Sequence, residues 1–175
     1  MVQSDKPFRH IIIDDFLDGE TLRKIVETFD SLKFERKDSD LFNLEQTDDL
    51  TNTDIQILKD VQKKILDVSE IKSFFEMVPK SVDMSGMLYK DSDYLLCHDD
   101  RLEGRSIAYI LYLNTMRKEE GGALKLINSK DFKTEELILP KENRLVMFEV
   151  SEKSWHEVSE IINAKRKSLG GWLHC

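Results

Sequence analysis

Apolar positions follow two different periods along the chain. In the first third, Leu22, Ile25, Val26 and Phe29 recur at i, i+3, i+4 and i+7, which predicts an amphipathic helix with Asp18 as its N-cap. Leu58, Val61 and Ile65 predict a second helix opened by Thr53-Asp54. Ile71, Phe74, Phe75 and Val78 predict a third, capped by Ser69. A short strand over residues 8–13 precedes them. From Val82 onward the pattern changes to short β-rich segments over residues 82–89, 94–97, 107–113, 123–127, 136–139, 145–150, 155–158 and 167–174. Glu103-Gly104, Gly121-Gly122 and Pro140-Lys141-Glu142-Asn143 separate them as turns. This spacing predicts a mainly β fold with flanking helices (α+β): a β-sandwich or jelly roll, with the N-terminal helices packed on an outer face.

One stretch fits neither period. Residues 37–54 hold Lys37 against Asp38, Asp40, Glu45, Asp48, Asp49 and Asp54, and are long for a connection. Loops of this kind often cover a site, so residues 38–54 are expected to form a lid. The bulk composition narrows the class. With 175 residues, 40% of them hydrophobic, the chain can bury one core, and residues 1–175 are expected to form one domain. Only 7 Gly and 3 Pro exclude collagen-like and low-complexity chains. A net charge of −8 argues against a general nucleic-acid binder, whose affinity comes from neutralising phosphates. Cys97 and Cys175 are too few for a disulfide framework. The N-terminus is too polar for a secretory signal, and no apolar run is long enough to span a bilayer. The expectation is a soluble, cytoplasmic chain, with the nucleus open to a eukaryotic one.

The chemistry concentrates around two histidines. His98 and Asp100 form a His-x-Asp pair at the end of an apolar strand, and residues two apart on a strand share a face. His156, on a late strand, supplies the third group of a two-histidine, one-carboxylate set, which leaves positions open on Fe(II). Ten residues further on, Arg166 could bind the far carboxylate of a dicarboxylate bidentately, with Ser168 on the same face as an extra donor. The competing reading of Lys165-Arg166-Lys167 is a surface basic cluster. Cys97 and Asp99 are expected to point away from His98, Cys97 as a packed thiol. His10 and His174 are read as structural, and Trp155 and Trp172 as core or pocket wall.

In this order the residues resemble the Fe(II)- and 2-oxoglutarate-dependent dioxygenases, and most closely the catalytic domain of the eukaryotic ribosomal prolyl 3-hydroxylase family. The similarity runs through Asp40-Leu41-Phe42, Leu95-Leu96-Cys97-His98-Asp99-Asp100, Leu102-Glu103-Gly104-Arg105, Ile110-Leu111-Tyr112-Leu113, Gly121-Gly122-Ala123-Leu124, Phe148-Glu149-Val150, His156-Glu157-Val158 and Arg166-Lys167-Ser168-Leu169-Gly170-Gly171-Trp172. The resemblance implies a double-stranded β-helix. It makes His98, Asp100 and His156 the iron ligands and Arg166 the partner of the 2-oxoglutarate C5 carboxylate. Tyr89 and Tyr112 become pocket tyrosines; the bare sequence also allows a core tyrosine with a backbone partner. Fe(II), 2-oxoglutarate and O2 are the implied cofactors, with ascorbate open as a reductant. The implied partner is a proline-containing protein such as a ribosomal protein or translation factor. Two alternatives stand beside it: a hydroxylase of a free amino acid or other small molecule, and a non-enzymatic metal- or partner-binding β-helix protein. Eukaryotic relatives carry a second, non-catalytic β-helix domain and a loop richer in proline and aromatic residues where this chain has the charged 114–120. A single-domain homologue or a fragment is expected.

Overall fold

Side chains alternate across a strand, so a strand buried along its whole length must have a packed layer on each face. The computed structural model describes all 175 residues. Its elements, in chain order, are β1 (Val2–Ser4), β2 (His10–Ile13), α1 (Gly19–Ser31), β3 (Glu35–Asp38), β4 (Phe42–Gln46), α2 (Gln56–Leu66), α3 (Ser69–Ser73), β5 (Ser81–Val82), β6 (Ser85–Tyr89), β7 (Tyr94–His98), β8 (Ile107–Tyr112), β9 (Leu124–Ile127), β10 (Thr134–Ile138), β11 (Leu145–Glu149), β12 (His156–Val158) and β13 (Arg166–His174). All strand pairs are antiparallel, in the order β1-β2-β11-β8-β13-β6-β4-β7-β12-β9-β10, with β3 on β4 and β5 on β13.

Strand β8 is buried at every position and shows the plan. Its Ile107, Tyr109 and Leu111, with Leu145 and Met147 of β11, share a cluster with Ile25 and Phe29 of α1 and Leu58, Val61 and Ile65 of α2. The intervening Ala108, Ile110 and Tyr112, with Val146 and Phe148, pack with Leu44, Leu124, Leu126 and Val158 from the far half of the same sheet. The sheet therefore curls over on itself as a jelly roll, with helices on its outer face, as expected. Where its two ends approach, His10 Nε2 of β2 lies 2.9 Å from Glu136 Oε2 of β10.

Several boundaries differ from expectation. Asp18 does cap α1, accepting the Thr21 N–H at 3.0 Å. For α2 the N-cap is Ile55, whose own N–H is bonded to Thr53 Oγ1 at 3.2 Å. Helix α3 is a single short stretch in which Ser69 is the first helical residue, not the cap. The chain then bends through Glu76 (φ 61°), leaving Val78 exposed. The stretch over residues 82–89 is two strands. The largest difference from expectation concerns residues 38–54, which are not a free loop. Asp38 ends β3, and β4 is inserted between β6 and β7. Beyond it, Thr47 and Leu50 are buried, and Leu50 N–H bonds to Met84 O at 2.8 Å. The strand went unread because only Phe42 and Leu44 mark its apolar face, and Asn43, Glu45 and Gln46 carry no strand signal.

Candidate active site

Strand β12 lies between β7 and β9, with His156 directly opposite His98. An early and a late strand do lie side by side. Two steps along β12, from His156 to Val158, oppose three steps of β7, from His98 back to Leu95, so β7 bulges. A bulge re-aims side chains; here both Leu95 and His98 line the central cavity. Asp100 arrives by another route than the one expected. It lies beyond the end of β7 in left-handed backbone (φ 60°), a conformation that aspartate tolerates better than most residues. The His-x-Asp pair therefore converges through a turn, not through strand alternation.

The three side chains meet. His98 Nε2 is 3.3 Å from Asp100 Oδ1, and His156 Nε2 is 3.4 Å from Asp100 Oδ2. One candidate ligand atom from each residue lies within 4.8 Å of the other two. The remaining imidazole nitrogens face backbone carbonyls: His98 Nδ1 to Leu96 O at 2.8 Å and His156 Nδ1 to Ser154 O at 2.7 Å. A carbonyl only accepts, so each Nδ1 carries a proton; the neutral ring then has a lone pair on Nε2 for the shared centre, whereas the protonated ring donates from Nε2 to Asp100. Burial by itself would push the Asp100 carboxyl up, but the hydrogen bonds from His156 and His98 outweigh it and hold the group well below the usual carboxylate range. For His98, burial disfavours the imidazolium, yet Asp100 prevails and raises its pKa. A largely buried carboxylate between two imidazoles that can offer lone pairs suits a divalent metal.

The cavity beside them has a volume of about 380 Å³ and is walled by Tyr89, Leu124, Phe148, Arg166 and Trp172, among others. Arg166 is 1% exposed, which excludes the surface basic cluster. Its Cζ lies 4.8 Å from the Tyr89 ring centre and 5.0 Å from that of Tyr112. No carboxylate lies within ion-pair distance of it, and its Nε has no partner. Strand pairing sets the rest: Arg166 faces Tyr89 on β6, and Ser168 faces Tyr112 on β8. The hydroxyls of Tyr112 and Ser168 are also buried and unpartnered, although neither residue forms the cavity surface itself. Burying a guanidinium without a counter-charge costs roughly several kcal/mol. A bound carboxylate would relieve that cost and satisfy the orphaned donors. The residues present thus fit both a metal at the triad and a dicarboxylate held at Arg166.

Other candidates fall outside the chemistry. Cys97 is a free thiol whose pKa burial pushes up. Asp99 accepts from Arg101 Nε at 2.7 Å at the cavity rim. His174 bonds to Gly104 O and Asp83 Oδ2, both at 2.8 Å, and His10 is fully buried at the sheet seam. Trp172 is pocket wall, whereas Trp155 packs edge-on against the exposed Phe132. Sequence reasoning missed Arg105, whose guanidinium lies 3.3 Å over the Trp172 ring and whose Nη1 donates to Asp100 O at 3.3 Å. It also missed Leu41, Phe42, Leu44 and Gln46 of the hairpin as cavity wall. Alternation of Phe42 and Leu44 was the one signal available for the hairpin.

Known proteins resemble this chain in sequence and in fold. Prolyl 3-hydroxylase OGFOD1 of Mus musculus is 35% identical over 181 residues, covering 96% of this chain and 33% of the relative. The chain spans about a third of the length of the curated relatives it matches. A Pseudomonas putida prolyl-4-hydroxylase superposes with a TM-score of 0.79 at 17% identity, covering 94% of this chain and 91% of that one. A Trichoplax adhaerens prolyl hydroxylase, solved with a hypoxia inducible factor peptide, gives 0.73 at 17% identity, covering 94% and 83%. At that identity the two structures speak for the fold. Residues 84–174, more than half of the chain and including the triad and Arg166, match the model of the 2OG-Fe(II) oxygenase superfamily, and the chain belongs to that family.

Proposed function

We propose that this chain is a prolyl hydroxylase acting on a protein substrate such as a ribosomal protein or translation factor. The observation that carries the chemistry is the pairing, around one cavity, of a convergent His98–Asp100–His156 set with a buried Arg166 lacking any protein counter-charge. The similarity to prolyl 3-hydroxylases over nearly the whole chain carries the substrate class.

In this reading His98, Asp100 and His156 hold Fe(II), which with 2-oxoglutarate and O2 supplies oxidation of an unactivated C–H bond, yielding succinate, CO2 and the hydroxylated product. The chain's own residues bind, orient and shield. Leu96 O and Ser154 O fix the tautomers that present Nε2. Arg166 fixes the far carboxylate of the keto acid, with Tyr112 and Ser168 donating beside it. Leu124, Phe148 and Val158 keep that part of the cavity apolar and exclude water. The mouth suits a chain rather than a small solute: Leu41 and Leu102, both on the cavity rim, are 38% and 64% exposed. Ascorbate is the reductant that would keep the metal ferrous. Two free thiols suit a reducing compartment, and we place the activity in the cytoplasm.

The test is turnover of the purified chain with Fe(II), 2-oxoglutarate and ascorbate, offered free proline or intact ribosomal proteins. Succinate release together with a one-oxygen gain on a prolyl residue of a protein is expected. Oxygen gain on free proline alone would move the substrate to small molecules. Absence of 2-oxoglutarate consumption under every condition would overturn the reading.

A further inference from the structure

We infer that Ser154 is a positioning residue that ties together the two chain segments supplying the metal ligands; the inference rests on the metal reading proposed above. Ser154 is fully buried. Its Oγ accepts the Ser151 N–H at 3.0 Å and directs its proton to Asp99 O and Ser151 O, each at 2.8 Å. One hydroxyl proton is thus shared by two carbonyls, one of them in the segment that carries His98 and Asp100. The Asp99 carbonyl belongs to the peptide leading directly into Asp100. Holding that peptide plane sets the left-handed turn that aims the Asp100 carboxylate. Ser154 also acts through its backbone, because Ser154 O accepts the His156 Nδ1 proton at 2.7 Å. A single residue therefore orients His156 with its carbonyl and steadies Asp100 with its hydroxyl, 55 positions away from Asp99 in sequence.

Removing the hydroxyl leaves the Asp99 carbonyl without this donor and frees the turn into Asp100, while no ligand atom is lost. Losing support of this kind typically weakens metal binding about 10–100-fold. Cobalt(II) is the probe, titrated without oxygen into the intact chain and followed by its visible absorption, which reports coordination geometry as well as occupancy. Ser154→Ala is expected to bind cobalt(II) about 10–100-fold more weakly, with an altered spectrum. Ser159→Ala is the control. It removes a similar serine-to-backbone bond, Ala123 N–H to Ser159 Oγ at 3.1 Å, beyond the other end of β12, and is expected to bind within about twofold of the parent. Should Ser154→Ala fail to fold, Ser154→Cys keeps a weaker donor and is expected to show an intermediate loss. Parent-like affinity and spectrum in the Ser154 variants, or an equal loss in Ser159→Ala, would overturn the positioning role. A parent chain that binds no cobalt(II) would overturn the metal reading with it. Cobalt(II) binding that is lost in His98→Ala but unchanged in Ser154→Ala would sink only the role of Ser154.

Discussion

Strand β8 carries two tyrosines three residues apart, both buried, that end on opposite faces of the sheet. Tyr109 faces the helices, where its hydroxyl donates to Asp83 O at 2.7 Å. Tyr112 faces the interior, where its hydroxyl has no partner. The same contrast runs through the sheet. On the outer face, Leu111, Leu145, Met147 and Leu169 bury apolar surface against α1 and α2 and leave nothing wanting. Along β13 on the inner face, Arg166 Nε, Ser168 Oγ and Trp172 Nε1 are buried without acceptors. Buried donors are normally satisfied, so a cluster of exceptions marks a place completed by something other than protein. One face stabilises the sheet, and the other holds polar groups ready for a ligand at a cost to stability.

Exchanging roles between the faces separates stability from binding. The largest effect is expected at Arg166. Arg166→Met removes an uncompensated buried charge, so the ligand-free chain should gain about 1–3 kcal/mol in denaturant unfolding. Its KM for 2-oxoglutarate should rise roughly hundredfold or more, because a charged hydrogen-bonded pair is lost. A loss of stability accompanying the rise in KM would break the contrast. On the outer face, Leu111→Ala should cost about 2–5 kcal/mol through the cavity it leaves. The fraction that remains folded should keep its KM, as steady-state kinetics corrected for folded concentration would register. The tyrosines give the finest comparison. Tyr112→Phe should raise the 2-oxoglutarate KM about tenfold with little change in melting temperature, whereas Tyr109→Phe should leave KM alone and cost about 1 kcal/mol. If both substitutions behaved alike, the two faces would not differ in function.

Much of this was legible in the residues, for reasons the structure makes plain. The run over residues 107–113 is apolar throughout because β8 is covered on both faces, and the helical stripe of α1 is the layer that covers one of them. His98, Asp100, His156 and Arg166 could be picked out because few residue types ligate iron or hold a carboxylate, and their spacing matched a known order. What stayed hidden depends on pairing across the sheet. That β4 inserts between β6 and β7 follows from partners far away in sequence, and Phe42 with Leu44 is too little alternation to announce it. The left-handed Asp100 and the bulge in β7 are local departures from strand geometry that alternation alone does not foresee. Nothing in the sequence around Ser154 sets it apart, because its role lies in a bond from its hydroxyl to Asp99 O, 55 positions away.

The most direct test is calorimetric: 2-oxoglutarate titrated, without oxygen, into the chain loaded with manganese(II). Saturable binding that requires the metal, disappears in His98→Ala and weakens roughly hundredfold in Arg166→Met is predicted. Binding that proceeds equally well without metal, or is indifferent to the loss of either side chain, would contradict the assignment of this cavity.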